Sequence, residues 1–345
     1  MTNFVRRADI EKEKAAISAF LSRYLSPTAN EARYEWLYCN NPGGRALACL
    51  GLDSETGQII GVAAAFPRRI HCLGKEVLGY VLGDFCIHPD YRSLGPAMAL
   101  QKRCLEELAV GDAEFLFDFP SASMLAIYKR LRIETGETMI RFAKPLRADR
   151  LIQRRTPGKI VARALSAAAN VGLRLRDTGL RRTSEWTIAE ETSPCGEEFT
   201  LATRQWSHRM GVCGVRSAEY LNWRYLQHAQ KSYHLLTARR GGKLCGLLVY
   251  YLAERDAAIV DLLAEEDAVI KALVTETVAN VRQHRVNTLS AAFLSSHPVR
   301  EILKDCGFRP REASPVVLLT LPGRSEQQGK DTPGPWYLTH GDRES

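Results

Sequence analysis

The order of apolar and polar residues along the chain changes period several times. Residues 10–25 place apolar side chains three and four apart, the spacing of a helix with one buried stripe. "RALACLGLD" and "GQIIGVAAAFPRRI" are apolar runs split by Thr56-Gly57, so they predict two strands joined by a hairpin turn. "KEVLGYVLGDFCIHP" predicts a longer strand, with a bulge near Gly79 and Gly83. A turn from Arg92 to Ala97 leads into a helix carrying Leu100, Cys104 and Leu108 on one side. The strand "AEFLFDF" and a helix from about Ser121 to Arg132 follow. Strand and helix alternate, which predicts an α/β unit with a mixed sheet over residues 1–146.

A similar order returns over residues 186–322. "YEWLYCNNPGG" holds Trp36 and Tyr38; "YLNWRYLQHAQ" holds Trp223 and Tyr225, 187 residues later. The strand pairs that follow each segment contain Gly61 and Gly246, 185 residues apart. Two units in matching order predict a duplicated fold, each half a mixed β-sheet flanked by helices. The tail, residues 323–345, is polar except for "PGPWYLTHGD". Trp336, Tyr337 and Leu338 are costly to leave in water, at about 1.5–3 kcal/mol each, so this piece is expected to dock on a domain.

Composition adds little until charge is located. The chain has 345 residues, 45% apolar and 25% charged, as in ordinary globular proteins. No apolar run approaches a membrane span, and the charged N-terminus does not resemble a secretory signal, so a cytoplasmic location is expected. Nine cysteines without a Cys-x-x-Cys pair read as reduced thiols, and neither they nor the eight histidines have metal-ligand spacing; no metal is expected. Between Arg147 and Arg182 lie ten basic and two acidic residues, so the whole formal charge of +8 resides there. Within this linker, residues 147–185, a helix is predicted from Lys159 to Arg176. Lys159, Arg163, Ser166, Asn170 and Arg174 fall on one face; Ile160, Ala164, Leu165, Ala168, Val171 and Leu175 fall on the other. Its apolar face either packs on a domain or lies on an anionic membrane, at the inner face of the cell, or on an anionic polymer.

The turn "RSLGPA" carries candidate chemistry. Backbone N–H groups at a helix N-terminus lack partners and, with the helix dipole, favour an anion such as a phosphate. Gly95 allows close approach, Arg92 supplies a forked pair of donors, and Pro96 suits the first helical turn while removing one donor.

The run Ile87-His88-Pro89-Asp90-Tyr91-Arg92-Ser93-Leu94-Gly95-Pro96-Ala97 resembles the acyl-CoA signature of the GNAT superfamily of N-acyltransferases, with Ala97 in the last position. The resemblance implies a coenzyme diphosphate on Arg92, Ser93, Leu94, Gly95 and Ala97, and a pantetheine arm along Cys86 and Ile87. It also implies that Tyr128 protonates the departing thiolate, although Arg132-Ile133 stands where the family has Gly-Phe. The alternative for Tyr128 is a half-buried packing residue. The implied reaction is direct attack of an amine on the thioester, with acetyl-CoA as donor and a backbone N–H near Cys86 to His88 on the oxyanion. Asp84 is the nearest carboxylate on the strand and the candidate base, with a strand or cap role as its alternative; Cys86 is a rival nucleophile without a supporting His-Asp pair, and His88 reads as structural.

The second unit has no such turn, because "AAIVDLLAEED" runs straight into "AVIKALVTETVANVRQ", and Leu303 stands where Tyr128 would be. It is expected to be a scaffold that binds no coenzyme. Such tandem units are similar to proteins linked with polysaccharide or cell-envelope modification, which implies a small-molecule or saccharide amine as acceptor, with Trp36 and Tyr38 either stacking on a sugar or packing in the core. They also resemble Fem-type aminoacyl transferases, for which the basic linker would meet RNA; the coenzyme-type turn argues against that and against a nucleic-acid partner. A non-catalytic pair of scaffolds is the remaining alternative.

Overall fold

The computed structural model describes residues 4–178, 185–321 and 335–344. Parts of the linker, including Arg181 and Arg182, and most of the tail's polar stretch lie outside them. The strands are β1 (Phe4–Arg7), β2 (Leu47–Leu52), β3 (Ile59–Cys72), β4 (Lys75–Ile87), β5 (Phe115–Asp118), β6 (Glu137–Pro145), β7 (Thr187–Glu190), β8 (Val212–Gly214), β9 (Tyr233–Arg240), β10 (Lys243–Leu252), β11 (Asp256–Ala264), β12 (Thr288–Leu294), β13 (Arg309–Thr320) and β14 (Trp336–Tyr337). The helices are α1 (Lys14–Tyr24), α2 (Glu31–Tyr34), α3 (Leu94–Val110), α4 (Ala122–Arg130), α5 (Asp149–Arg155), α6 (Lys159–Thr178), α7 (Glu197–Ser207), α8 (Ala218–Leu221), α9 (Asp267–Gln283) and α10 (Val299–Asp305).

One mixed sheet runs through the molecule in the order β1-β2-β3-β4-β5-β13-β6-β12-β11-β10-β9-β7, with β8 joined to β3 and to β14. The order read from either end is the same: three antiparallel neighbours, a parallel pair, then a closing strand. The parallel pairs are β4–β5 and β11–β12. The closing strands are exchanged. β6, which follows the first unit's last helix, pairs with β12 of the second unit, and β13 returns to pair with β5 of the first. β6 and β13 also pair with each other and weld the halves into one sheet. A cut at residue 146 therefore leaves each half without the strand that completes it.

The repeated residues have physical reasons. A Cβ on Gly61 would lie 2.7 Å from Ile87 Cδ1, under α3; one on Gly246 would lie 2.6 Å from Val269 Cγ1, on α9. Both glycines let a crossover helix sit close on the sheet. Each half also has a π-helical turn after its second short helix, residues 35–39 and 222–226, which carries the Trp-x-Tyr residues. Trp36 and Trp223 stack on each other, 4.7 Å between centroids, and each indole N–H donates to the other's carbonyl oxygen at 3.0 Å. Both are buried, as is Tyr38, so the sugar-stacking expectation gives way to a role for Trp36 in the seam between the halves and for Tyr38 in the core of the first half, where it packs on Tyr34 and Phe66. The tail is held there too. Trp336 and Tyr337 pair with β8, Tyr337 is buried, and Asp342 lies 2.8 Å from the Arg216 guanidinium.

Helix α6 reverses the packing expected for it. Ala162 and Ser166 are buried, while Ile160, Val161, Leu165, Val171 and Leu175 are exposed. Its polar groups are the anchor: Asn170 accepts from the Ala148 N–H at 2.8 Å and donates to Asp149, and Asp177 pairs with Lys144 at 2.6 Å and with Arg282. The expectation that the apolar face packs on a domain is overturned, because hydrogen bonds and ion pairs hold the helix by its other side. Among the described residues no helix is long and apolar enough to cross a membrane.

Candidate active site

The parallel pairing of β4 and β5 stops at Val81 and Phe117. Beyond it the strands separate, and a cleft of about 540 Å³ opens between Leu82–Phe85 on one side and Asp118 with Phe119 on the other. Arg33, Gln101 and Met124 close its walls, and Gln230, Lys231 and Glu344 reach in from the second half and the tail. Where the strands part, β4 carries a bulge. Asp84 sits at a φ of 46°, and the register with β3 jumps from Gly83 to Cys86, leaving Asp84 and Phe85 outside the ladder. The bulge was expected near Gly79 and Gly83; it falls just past Gly83. That glycine has a different use: a Cβ there would meet Glu344 Cγ at 2.6 Å.

The bend after β4 is open. A short 3-10 turn, Pro89–Tyr91, ends the strand, His88 caps it through Nδ1, and Ser93 stands at the N-cap of α3. Arg92, Ser93 and Gly95 are exposed, and nothing lies within 4 Å of a Cβ built on Gly95. Arg92 Nε donates to the Ile87 carbonyl at 3.2 Å, which fixes the guanidinium over the bend. The N–H groups of Leu94 and Gly95 are in the first turn of α3, where no intrahelical partner exists. Ala97 is buried and begins the face of α3 that packs on the sheet. Arg92, Ser93, Leu94 and Gly95 thus form an open, positively charged edge that could hold a diphosphate. The residues of β4 beyond Val81, including Cys86 and Ile87, supply backbone that β5 does not pair. The His88 N–H donates to Ile60 O at 2.8 Å, so it is committed to the sheet; Asp84 and Phe85 stand at the bulge, outside the register with β3.

Asp84 departs from the base expected for it. Its two oxygens take a guanidinium fork from Arg33, at 2.7 and 2.9 Å, and the Tyr38 hydroxyl at 2.8 Å. The second half repeats the contact: Tyr225 donates to Asp261 at 2.8 Å, with Arg216 on the same carboxylate. A pair that persists in the half without a phosphate turn serves the fold. Asp84 and Cys86 do not share one uninterrupted strand face, since the bulge breaks the alternation between them. Burial pushes the Cys86 thiol up to about 11, which removes the thiolate a nucleophile needs.

Tyr128 is fully buried and not among the residues that line the cleft. Its hydroxyl donates to Asp118 Oδ2 at 2.5 Å and accepts from Gln101 Nε2 at 3.5 Å. Asp118, which the sequence reading passed over, is the group that faces the cleft. Burial raises its carboxyl to about 7, partly opposed by the Tyr128 hydrogen bond and reinforced by the negative charge of Glu344. Glu344 is itself raised, first by burial and then by Asp84. A carboxylate that ends an apolar strand directly before Phe119-Pro120 was the one available signal for Asp118. Glu344 had none, because only the docked tail brings it here. Asp118 with Tyr128 can hold and pass a proton at neutral pH, beside the bulge of β4.

In the second half the corresponding helix start is acidic. Glu265, Glu266 and Asp267 occupy the β11–α9 junction, and Glu265 is tied to Lys243 at 2.9 Å. Three carboxylates there disfavour a phosphate.

Residues 5–135 match the family model of an acetyltransferase (GNAT) domain. A search of the curated proteins finds no match. Several solved structures share the fold at low identity. A conserved protein of unknown function from Enterococcus faecalis, described as a probable N-acyltransferase, is 15% identical with a TM-score of 0.66, over 93% of this chain and 73% of that one. A GCN5-related N-acetyltransferase from Kribbella flavida is 16% identical, TM-score 0.63, over 93% and 72%. The Saccharomyces cerevisiae N-myristoyltransferase with bound myristoyl-CoA is 13% identical, TM-score 0.57, over 92% and 79%.

Proposed function

From the premise that residues 5–135 are a GNAT domain inside a GNAT-type fold, we propose that this protein transfers an acyl group, acetyl in the first instance, from acyl-CoA to a primary amine. The exposed bend from Arg92 to Ala97, beside the parting of β4 and β5, is the observation that carries the reading. Arg92 and the first amides of α3 hold the diphosphate, and the unpaired edge of β4 near Cys86 and Ile87 holds the pantetheine arm. The amides of Asp84 and Phe85 face the thioester oxygen as negative charge develops on it. Asp118 takes the proton from the attacking amine. Asp118, its Oδ2 held by the Tyr128 hydroxyl, then gives that proton to the departing thiolate, so the proton lost by the amine ends on the thiol and the carboxylate is restored.

The acceptor is an amine on a small molecule or a saccharide. With Trp36 and Tyr38 committed to the interior, a sugar would be recognised by the polar wall of Gln230 and Lys231 instead. We place the reaction in the cytoplasm. Calorimetric titration with acetyl-CoA, followed by thiol release over a panel of amines, tests the reading. Arg92→Ala is expected to weaken coenzyme binding tenfold or more while leaving the melting temperature unchanged. Failure of the unmodified protein to bind acetyl-CoA or a longer acyl-CoA would remove the proposal.

A further inference from the structure

Helix α6 presents a surface that the acyl-transfer reading does not use. Its exposed arc holds Ile160, Val161, Leu165, Val171 and Leu175, which are 49–84% exposed, with Ala164 and Ala168 between them. At 100° per residue this arc is continuous, with Arg163 and Arg174 along one border and Arg176 along the other. The opposite side of the helix is fixed. Asn170 is bound to Ala148 and Asp149, and Asp177 to Lys144 and Arg282, so the apolar arc cannot turn inward without breaking these bonds.

Beside the helix is an open groove of about 830 Å³, lined by Arg147, Arg150 and Arg154 with Asn287, Thr288 and Ser290; Asp256 is the one carboxylate on its wall, and Arg141, also there, is tied to Glu312. Arg147 is engaged by Asp149, whereas Arg150 and Arg154 have no carboxylate partner among the described residues. The groove thus offers uncompensated guanidinium groups, with the Thr288 hydroxyl and the Asn287 amide beside them, the donor set for an anionic headgroup; the Ser290 hydroxyl is held by the Ala257 carbonyl.

We propose that α5 and α6 form a docking element for an anionic lipid bilayer, with α6 lying in the interface, its apolar arc in the acyl region, and a lipid phosphate in the groove at Arg150 and Arg154. Two features choose this occupant. Helices α5 and α6 carry seven basic and two acidic residues, a net +5, so a second copy docking face to face would bring like charge against like, whereas an anionic bilayer neutralises it. A nucleic acid or other soluble polyanion would satisfy the arginines but leave the five large apolar side chains in water. A helix with an apolar arc bordered by basic residues satisfies both demands at a bilayer surface. The element is independent of the coenzyme bend, and its test does not involve acyl transfer.

The test uses the full chain with vesicles of phosphatidylcholine alone and with 30 mol% phosphatidylglycerol, at low and high salt. Co-sedimentation is expected with the anionic vesicles only, with a tenfold or greater loss in Val171→Asp/Leu175→Asp. The loss in Arg150→Ala/Arg154→Ala is expected to be confined to the salt-sensitive part of binding. Leu165→Trp gives a second readout, a blue shift of the indole emission on anionic vesicles. All these positions are exposed, and circular dichroism checks that the variants fold. No binding by the unmodified chain at low salt overturns the proposal, as does equal binding by Val171→Asp/Leu175→Asp. A dimer in light scattering that this double variant dissolves, with no vesicle binding, would assign the arc to a second copy. Binding to heparin or RNA that survives the apolar variant, with no vesicle binding, would assign the arginines to a polyanion.

Discussion

Asp118 closes the strand Phe115-Leu116-Phe117, and its carboxyl is held near 7 by burial among these apolar neighbours. That position makes it useful for proton transfer and costly for folding. The folded state keeps its proton up to about pH 7, whereas an unfolded Asp releases it near 4. The group's contribution to stability is present below pH 4 and is lost as pH rises through 7, by up to about 4 kcal/mol. Asp118→Asn is therefore expected to raise the melting temperature more at pH 8 than at pH 5, while lowering kcat/KM about 100-fold or more. Calorimetric melts at both pH values and steady-state kinetics check this; a variant of full activity would dismiss Asp118. Tyr128 acts on the same carboxyl in the opposite sense. Its hydrogen bond favours the ionised form, so Tyr128→Phe is expected to move the acidic limb of the kcat/KM profile to higher pH. A limb that stays in place would mean that the phenol does not tune the acid.

At the level of elements, the two halves close their last strand-helix unit, β5–α4 and β12–α10, with the same turn. Phe308 N–H donates to Leu303 O at 2.9 Å, and Ile133 N–H donates to Tyr128 O at 2.9 Å. The second half uses Gly307 at a φ of 88°; the first uses Arg132 at 60°, a conformation that L side chains rarely adopt. The departure from Gly-Phe at Arg132-Ile133 leaves the turn intact and concentrates strain in one residue. Arg132→Gly is expected to stabilise the chain by up to about 1 kcal/mol, less the entropy that glycine gives the unfolded state, with unchanged coenzyme affinity. A fall in the chemical-denaturation midpoint would refute it. The amphipathic pattern of α6 gave the helix and both of its faces from sequence. It did not give the direction in which the helix is mounted. That depends on Asp149, Lys144 and Arg282, which lie on other elements.

Over the whole molecule, the second half and the tail complete a site that belongs to the first. Trp36 and Trp223 lock the seam, Arg216 is shared between Asp261 and Asp342, and Arg224 donates to the Gly341 carbonyl, so the tail is anchored just before Glu344 enters the cleft. The negative charge of Glu344 raises the Asp118 carboxyl. Glu344→Gln is accordingly expected to shift the acidic limb of the kcat/KM profile to lower pH, opposite to Tyr128→Phe. A limb that stays in place, or one that moves upward, would disconnect the tail from the proton pair.

Local spacing determined the parts that depend only on neighbours along the chain. The strand-turn-helix around Arg92, the duplicated order of elements and the docking segment around Tyr337 were legible because apolar period and turn residues are written consecutively. The exchange of β6 and β13, the burial of Asp84 under Arg33, the reversal of α6 and the meeting of Asp118, Tyr128 and Glu344 were not. Each depends on residues brought together from distant parts of the chain. Which carboxylate is neutralised, and which is pushed toward neutral pH, is decided by the groups packed around it and by the water they exclude.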